Sequence, residues 1–510
     1  MEIRNREQVY LEMTISASGP SGPQTPSRKV VTSLWILLAA SVCSLLLVKL
    51  VQLSFYFDGG IYAGVARNMA EGVGSAWSPY FSQTLFPVFA EHPPFMMWVE
   101  SLGFMVFGDT IAVEKSFSLL TFAVAGVLLF KMWMRLHDGD VVMQRAAPIA
   151  LFMVLIAGRM KWGFANGMLE NQLIIFTLSA VLLIVTAYDR RLGVSSLSRV
   201  SLIACAGLAI SLAVFTKGPV GLFPLATPAI YWFCFRRPSF AAVVLDSLIL
   251  VAIVVLLFLV LWSFDASREA TQRYLAAQLL PSLAGDRGNF GGGLSAVRNL
   301  IGVNGYSFAI TALVLVVFRR WNMAVPDAVL RKKRMQSAAF LLLVGCSASF
   351  PILASPRVTN FYFNPSLPYF STGFCVLCAP VLLGGLSRLG ERWQNRLWIA
   401  SSVFLAASVV IVGLNFGRMG GDKRVIENAS AIAEAVCGAS KTACRQTVSA
   451  CGKVWEDWPL HTYLQRYYKV SMAPEPSAAI KYLVADESCQ LDSTYAATGV
   501  KLFPYRLLQH

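Results

Sequence analysis

The chain has 510 residues, enough on length alone for two to four soluble domains, yet 56% of them are hydrophobic and only 14% charged, against roughly 25% charged in globular chains. A mean hydropathy of +0.59 with 33 Phe, 12 Trp and 16 Tyr excludes a soluble multidomain protein and turns most of the chain toward lipid or other apolar segments. The 43 Lys and Arg against 28 Asp and Glu give a formal charge of +15, which would suggest nucleic acid in a soluble chain. In a membrane chain the test is whether the cations fall in alternate loops, and they do, so nucleic acid is not expected as a partner.

Residues 1–30 are polar, with a Ser, Gly and Pro-rich run over 16–27, and read as a flexible tail that cannot build a core. The run 31–53 is too long for the apolar part of a cleaved leader and reads as a signal anchor. Further apolar runs follow at 111–136, 146–164, 173–188, 200–216, 220–235, 241–262, 300–318, 338–354, 361–386 and 397–415. Eleven spans are expected, each long enough at 1.5 Å per residue for a hydrocarbon core of roughly 30 Å.

With a cytoplasmic N-terminus, 21 cations lie in inner loops, including Arg331-Lys332-Lys333-Arg334, against nine in the outer loops before the C-terminal tail. The positive-inside rule therefore places the N-terminus in the cytoplasm and the C-terminus outside the inner membrane. The apolar stretch 94–108 is placed in the membrane interface, because counting it as a span would carry that basic cluster outside. The first outer loop then runs over 54–110, and Ile61, Val65 and Met69 at four-residue spacing suggest a second in-plane amphipathic helix over 58–72. Residues 416–510 change to a mixed polar composition and read as a small external α/β domain. They carry Cys437, Cys444, Cys451 and Cys489, an even number that fits one or two disulfides on an oxidising side.

Ionisable groups at the membrane's edge are costly, so those at span ends are the functional candidates. On this topology they share the outer face: Asp58 and Tyr62 where the first span exits, Glu91 and His92 in Glu-His-Pro-Pro, Arg159 and Lys161 after the third span, Glu170 before the fourth, Lys217 in Lys-Gly-Pro, and Arg357 and Tyr362 in the segment 357–368. Carboxylates facing cations suit glycosyl transfer from a lipid phosphate, one removing the acceptor's proton while the cations hold the leaving phosphate. The plainer roles are a helix cap for Asp58, loop backbone partners for Glu91 and His92, a snorkelling Lys217, and lipid headgroup contacts for Arg159, Lys161 and Arg357. Gly291-Gly292-Gly293 lacks the Gly-Lys-Ser or Gly-Lys-Thr of a nucleotide loop, four histidines with no i, i+4 pair give no zinc-protease pattern, and the Cys375/Cys378 pair lies in an apolar run and reads as packing.

Taken in order, Asp58, the Tyr-x-x-x-Ala-Arg-x-Met pattern over 62–69, Glu91-His92-Pro93-Pro94, Glu170, Lys217-Gly218-Pro219 and the Asn-Pro-x-Leu-Pro segment over 364–368 resemble the GT-C glycosyltransferases of family 39. These include protein O-mannosyltransferases and the bacterial aminoarabinose transferases of lipid A. The resemblance spans roughly 31–390 and implies a polytopic transferase with interfacial helices in its first outer loop. It makes Asp58 the catalytic base, Glu91 the loop carboxylate that arranges the site, sometimes with a divalent metal that His92 could share, Glu170 the second acidic residue and Lys217 the lysine closing the fifth span. Tyr62, His92, Arg159, Lys161, Arg357 and Tyr362 join Lys217 as expected substrate contacts. Two departures stand out: the family's Asp-Glu pair is Asp58-Gly59, and the Glu-Lys-Pro of aminoarabinose transferases is Glu91-His92-Pro93. The resemblance implies a polyprenyl-phosphate sugar as donor, surrounding membrane lipids, and a surface glycan, lipid A or protein as acceptor. A flippase of lipid-linked sugars is the alternative, and a structural protein with a vestigial site the third reading.

Overall fold

The structure is a computed structural model and describes residues 26–189, 193, 195–284, 292–317, 328–353, 358–438, 444–490 and 494–510. The tail before residue 26, Arg190, Arg191, Arg287, Arg319 and Arg320 lie outside the described residues.

Among the described residues, nine helical runs are long and apolar enough to cross a bilayer, from Arg28–Leu50 to Glu391–Cys437. The molecule is a multi-pass membrane protein. The run Ser196–Phe235 has 40 residues, about 60 Å if straight and twice what one crossing needs. It turns back instead. The helix Ser196–Lys217 ends at Gly218 with φ 74°, a left-handed backbone open to glycine at low cost. The tight helix Gly218–Ala226 then lies on its predecessor, so close that a Cβ on Gly221 would stand 2.5 Å from the backbone carbon of Ala213.

The expected span 146–164 is not continuous. A buried helix Ala147–Ile156 is followed by a turn in which Gly158 takes φ 41°, and then by the short helix Met160–Ala165. Ten residues rise only about 15 Å. The helices Arg28–Val42 and Leu367–Ser387 enclose Ala147–Ile156 within the apolar core formed with Trp133, Met153, Leu341 and Phe363. By contrast, Phe240–Trp262 and Glu391–Asn415 expose Leu256, Leu259, Val403 and Val410 along their flanks, where a bilayer would cover them.

The helix Phe95–Phe107 has 13 residues, too few to span, and stops at Gly108 with φ 75°. Its Met105, Val106 and Phe107 point outward as an interfacial helix requires. The helix Phe57–Ala70 corrects the in-plane surface helix expected over 58–72, because every residue from Gly59 to Asn68 is buried. What covers it comes from the far end of the sequence.

That cover is the C-terminal domain. Its five strands are β1 (Thr447–Cys451), β2 (Ser471–Ala473), β3 (Tyr482–Ala485), β4 (Ala496–Lys501) and β5 (Arg506–Gln509), ordered β2-β1-β3-β5-β4. The first three are parallel, with β5 antiparallel to both β3 and β4. The helices Lys423–Cys437 and Trp458–Tyr468 close the core around Ile432, Val448, Leu464 and Leu507, and Phe55 from the first outer loop is inserted into the same core. All four cysteines pair, Cys437 with Cys444 and Cys451 with Cys489. The remaining described cysteines, including buried Cys375 and Cys378, are thiols.

Candidate active site

Asp58 is the second residue of the helix Phe57–Ala70, so its carboxylate lies in the first turn, where backbone N–H groups and the helix dipole favour negative charge. It is not the cap, since Tyr56 holds the N-cap position with extended backbone. The entry is fixed from the third membrane segment: Tyr56 N–H donates to Asn166 Oδ1 at 2.7 Å, and Asn166 Nδ2 donates to the Trp162 carbonyl at 2.8 Å. Gly59 is pressed against the same residue, since a Cβ there would fall 1.7 Å from the Asn166 carbonyl oxygen. A second acidic side chain has no room at that position, which gives the departure from the Asp-Glu pair a steric cause. Gly60 is equally confined, between the Phe55 ring and the Thr462 methyl.

Glu170 is the second residue of the helix Leu169–Ala187 and is fully buried. Its Oε1 is ion-paired with Nζ of Lys217, which ends the helix Ser196–Lys217. Lys217 is therefore no solvent-seeking terminus. Its ammonium also faces the rings of Tyr362 at 4.9 Å and Phe361 at 5.8 Å, a cation–π arrangement strengthened by the loss of water.

Buried Tyr62 records what surrounds it. Its phenol is held well above the usual range, first by burial and then by the negative charges of Asp58 and Glu170, with Tyr362 and Glu91 adding to the effect. It stays protonated and keeps an O–H to donate. His92 meets the same ring edge-on, centroids 5.9 Å apart. Asp58, Tyr62, Glu91, His92, Glu170, Lys217 and Tyr362, far apart in sequence, thus share one neighbourhood. Arg159 stacks on Trp162 at 5.5 Å, the Trp162 ring lies 5.5 Å from that of Phe361 beside Lys217, and Lys161 lines the second cleft described below. Arg357 lies outside the described residues.

Two clefts adjoin this region, one reached through His92 and the other through Tyr56 and Phe57. One, of about 980 Å³, is lined by Trp77, Phe89, His92, Pro219, Trp262 and Arg273, and its walls are overwhelmingly apolar. Arg273 is one of the nine cations that the sequence places in outer loops. The structure puts it on the helix Asp265–Tyr274, held by Ser78 Oγ at 2.7 Å and Glu269 Oε2 at 2.9 Å. The available signal was a polar segment with an i, i+4 Glu269/Arg273 pair next to an apolar span. The second cleft, of about 1200 Å³, includes Lys49, Tyr56, Phe57, Lys161, Trp162 and Asp422, and opens between the membrane helices and the C-terminal domain.

Among the described residues, no three His, Cys, Asp or Glu side chains gather as a metal centre requires. The chemistry below routes no step through a metal.

No protein-family model matches the chain, and no curated protein matches it in sequence. Solved structures do. ArnT from Cupriavidus metallidurans bound to undecaprenyl phosphate aligns with a TM-score of 0.60 at 14% identity, over 94% of this chain and 98% of that one. Its apo state gives 0.59 at 14% identity, over 93% and 97%. The apo oligosaccharyltransferase of Archaeoglobus fulgidus gives 0.53 at 13% identity, over 89% of this chain and 69% of that one. Likeness at such identities speaks for architecture, and the architecture is the GT-C fold: a polytopic helical membrane unit with a small C-terminal sheet domain.

Proposed function

We propose that the protein is an inverting glycosyltransferase that moves one sugar from a polyprenyl-phosphate donor to a hydroxyl of an acceptor on the outer face of the inner membrane. The observation that carries this reading is the gathering of Asp58, Glu91 and Glu170 around Tyr62, with His92 shared between that group and the apolar cleft. A polyprenyl chain fits the apolar cleft while its phosphate stays at the polar end, near His92 and Arg273. The C. metallidurans ArnT crystallised with undecaprenyl phosphate shares the fold, which supports a donor of this class. The family 39 assignment rests on the ordered motifs.

Asp58 takes the proton of the acceptor hydroxyl. The oxygen attacks the anomeric carbon opposite the phosphate, the carbon–oxygen bond to phosphate breaks, and the polyprenyl phosphate leaves with the electron pair. His92 and Arg273 offset its charge, and Tyr62 offers its O–H to an oxygen at the centre. Glu170 and Lys217 neutralise each other and hold the floor against Tyr362. The acceptor enters by the second cleft, where Tyr56, Phe57 and Trp162 offer aromatic faces to a sugar and Lys49 and Lys161 favour anionic groups. The N-terminus is cytoplasmic and the C-terminal domain external, as the loop charges direct.

Mass spectrometry of the cell's glycolipids and glycoproteins, with and without the gene, should show loss of a single sugar. Asp58→Asn should reproduce that loss with normal expression and membrane insertion. Wild-type glycans in the Asp58→Asn strain would sink Asp58 as the base.

A further inference from the structure

We infer that the helix Trp458–Tyr468 of the C-terminal domain sets the position of Asp58, with Thr462 and Arg466 as positioning residues. The claim rests on the reading of Asp58 as base, and goes beyond it by making the external domain part of the catalytic unit rather than an appended module.

The helix Phe57–Ala70 is gripped at both ends by this one partner. At its start, the Thr462 methyl fills the space beside Gly60, and Thr462 Oγ1 lies 3.4 Å from the Phe57 carbonyl. The approach to the turn is held as well: Phe55 N–H donates to the Tyr463 hydroxyl at 3.0 Å, that hydroxyl donates to Asp422 at 2.7 Å, and the Tyr467 hydroxyl donates to the Leu53 carbonyl at 2.7 Å. These contacts fall on the residues immediately around Asp58.

At the other end the grip is ionic, and both guanidinium groups in it are buried. Arg67, 1% exposed, donates to the Gln465 carbonyl at 3.0 Å and the Arg466 carbonyl at 3.3 Å, a cation on the C-terminal carbonyls of the partner helix. It also pairs with Asp109 at 3.2 Å. Arg466, 2% exposed, reaches Asp109 Oδ1 and Glu114 Oε2, both at 2.6 Å. Two guanidinium groups thus meet two carboxylates, with Lys469 3.6 Å from Asp109, where the loop after the first span, the start of the second span and the C-terminal domain come together. Farther out, Lys469 pairs with Glu71 at 2.5 Å and Arg445 with Glu71 at 3.2 Å.

The two buried guanidinium groups have few arrangements open to them, since each lost carboxylate partner strands a cation away from water. The cluster fixes one end of a 14-residue helix, about 21 Å long, whose other end carries Asp58 about 14 Å from Arg67. Loosening it lets that helix pivot, and misplacing a catalytic group by about 1 Å costs on the order of 10²-fold in rate.

The test uses the full-length protein purified in detergent, with Arg466→Met, Arg466→Lys and Thr462→Leu compared at matched monodispersity. Thr462→Leu crowds Gly60 without stranding a charge, so the test survives if Arg466→Met does not fold. Two quantities are read: kcat and KM for donor consumption, and hydrogen exchange of backbone amides 57–62 against those of 169–187. The expected result is a fall in kcat of about 10²-fold with donor KM within a factor of two, faster exchange in 57–62 only, and partial recovery in Arg466→Lys. A folded variant with faster exchange in 57–62 and wild-type kcat overturns the inference, as does wild-type exchange in both Arg466→Met and Thr462→Leu. An active Asp58→Asn enzyme would instead remove the underlying reading, and the exchange measurement stays independent of it.

Discussion

Replacing Gly59 by alanine should cripple turnover without unfolding the protein. A Cβ at this position would fall 1.7 Å from the Asn166 carbonyl oxygen, whereas real contacts of that kind start near 3.0 Å, so helix and loop must separate by about 1.3 Å. Asn166 cannot retreat freely, because its side chain holds Tyr56 N–H at 2.7 Å and the Trp162 carbonyl at 2.8 Å. The first turn of the helix Phe57–Ala70 must yield instead, and Asp58 moves with it. A displacement of this size costs on the order of 10²-fold in kcat, or about 2.7 kcal/mol in the transition state. The intrinsic gain from replacing a helical glycine with alanine is about 0.5–1 kcal/mol, too small to compensate. The assay is donor consumption under saturating conditions, with melting temperature recorded on the same preparation. A Gly59→Ala enzyme within threefold of wild-type kcat and unchanged in melting temperature would refute the argument that this contact positions Asp58. Gly59→Glu, which restores the acidic pair of the family, should be worse than alanine.

Breaking the buried Glu170–Lys217 pair from either side, with Glu170→Gln or Lys217→Met, should cost about 3–5 kcal/mol of stability by stranding a charge; the double variant should lose clearly less than the sum, and additive losses in melting would contradict the pairing. Buried Glu100 is pushed up from 4.5 to about 8, by burial first and then by Glu114, with Arg466 opposing. The folded state therefore holds a proton that the unfolded chain has released, so Glu100's contribution is most favourable below pH 4.5 and falls away as pH rises toward 8. Glu100→Gln should flatten melting temperature against pH across that window and exceed wild type at pH 8, by up to about 4 kcal/mol; parallel curves would reject the assignment. Removing the Cys451–Cys489 disulfide, whose partners are 38 residues apart, should destabilise the C-terminal domain by about 4 kcal/mol on loop entropy, measured as earlier proteolysis of that domain; unchanged proteolysis under oxidising conditions would contradict it.

Much of the membrane unit was legible because the bilayer penalises irregularity. Apolar runs marked the crossings, and Asp58, Glu170 and Lys217 stood out as ionisable groups beside them. The fold-back at Gly218 was legible as a Lys-Gly-Pro break between two runs. The break at Gly158 was not, although Arg159 and Lys161 lie just beyond it, because the flanking residues 147–156 and 162–164 are apolar enough to be joined into one run; in the structure the turn packs tightly beside Leu367 and Val303. The burial of Phe57–Ala70 was missed for a related reason. Its four-residue spacing of Ile61, Val65 and Met69 suits a surface helix, but its second face is small, with Gly59, Gly60, Ala63, Gly64 and Ala66, and small residues can equally admit another helix.

What escaped entirely was the partner that uses that face. Arg466 lies 352 residues from Glu114, in a domain of ordinary soluble composition where an arginine draws no notice. Lipid makes charge costly at the ends of spans, which marks Asp58 and Glu170 in the sequence, whereas charge made costly by another part of the same chain leaves no such mark. Yet the physical penalty is of the same kind: a guanidinium 2% exposed must find carboxylates wherever the burial comes from. Buried arginines in the C-terminal domain are accordingly as informative about what holds the Asp58 helix as carboxylates at the ends of spans are about the site, but only the fold reveals which of them are buried. The short signature Ala66-Arg67 within the first loop was visible from the start as part of a motif, and its chemical use, holding the carbonyl ends of the helix that covers Asp58, became apparent only when the two helices were seen side by side.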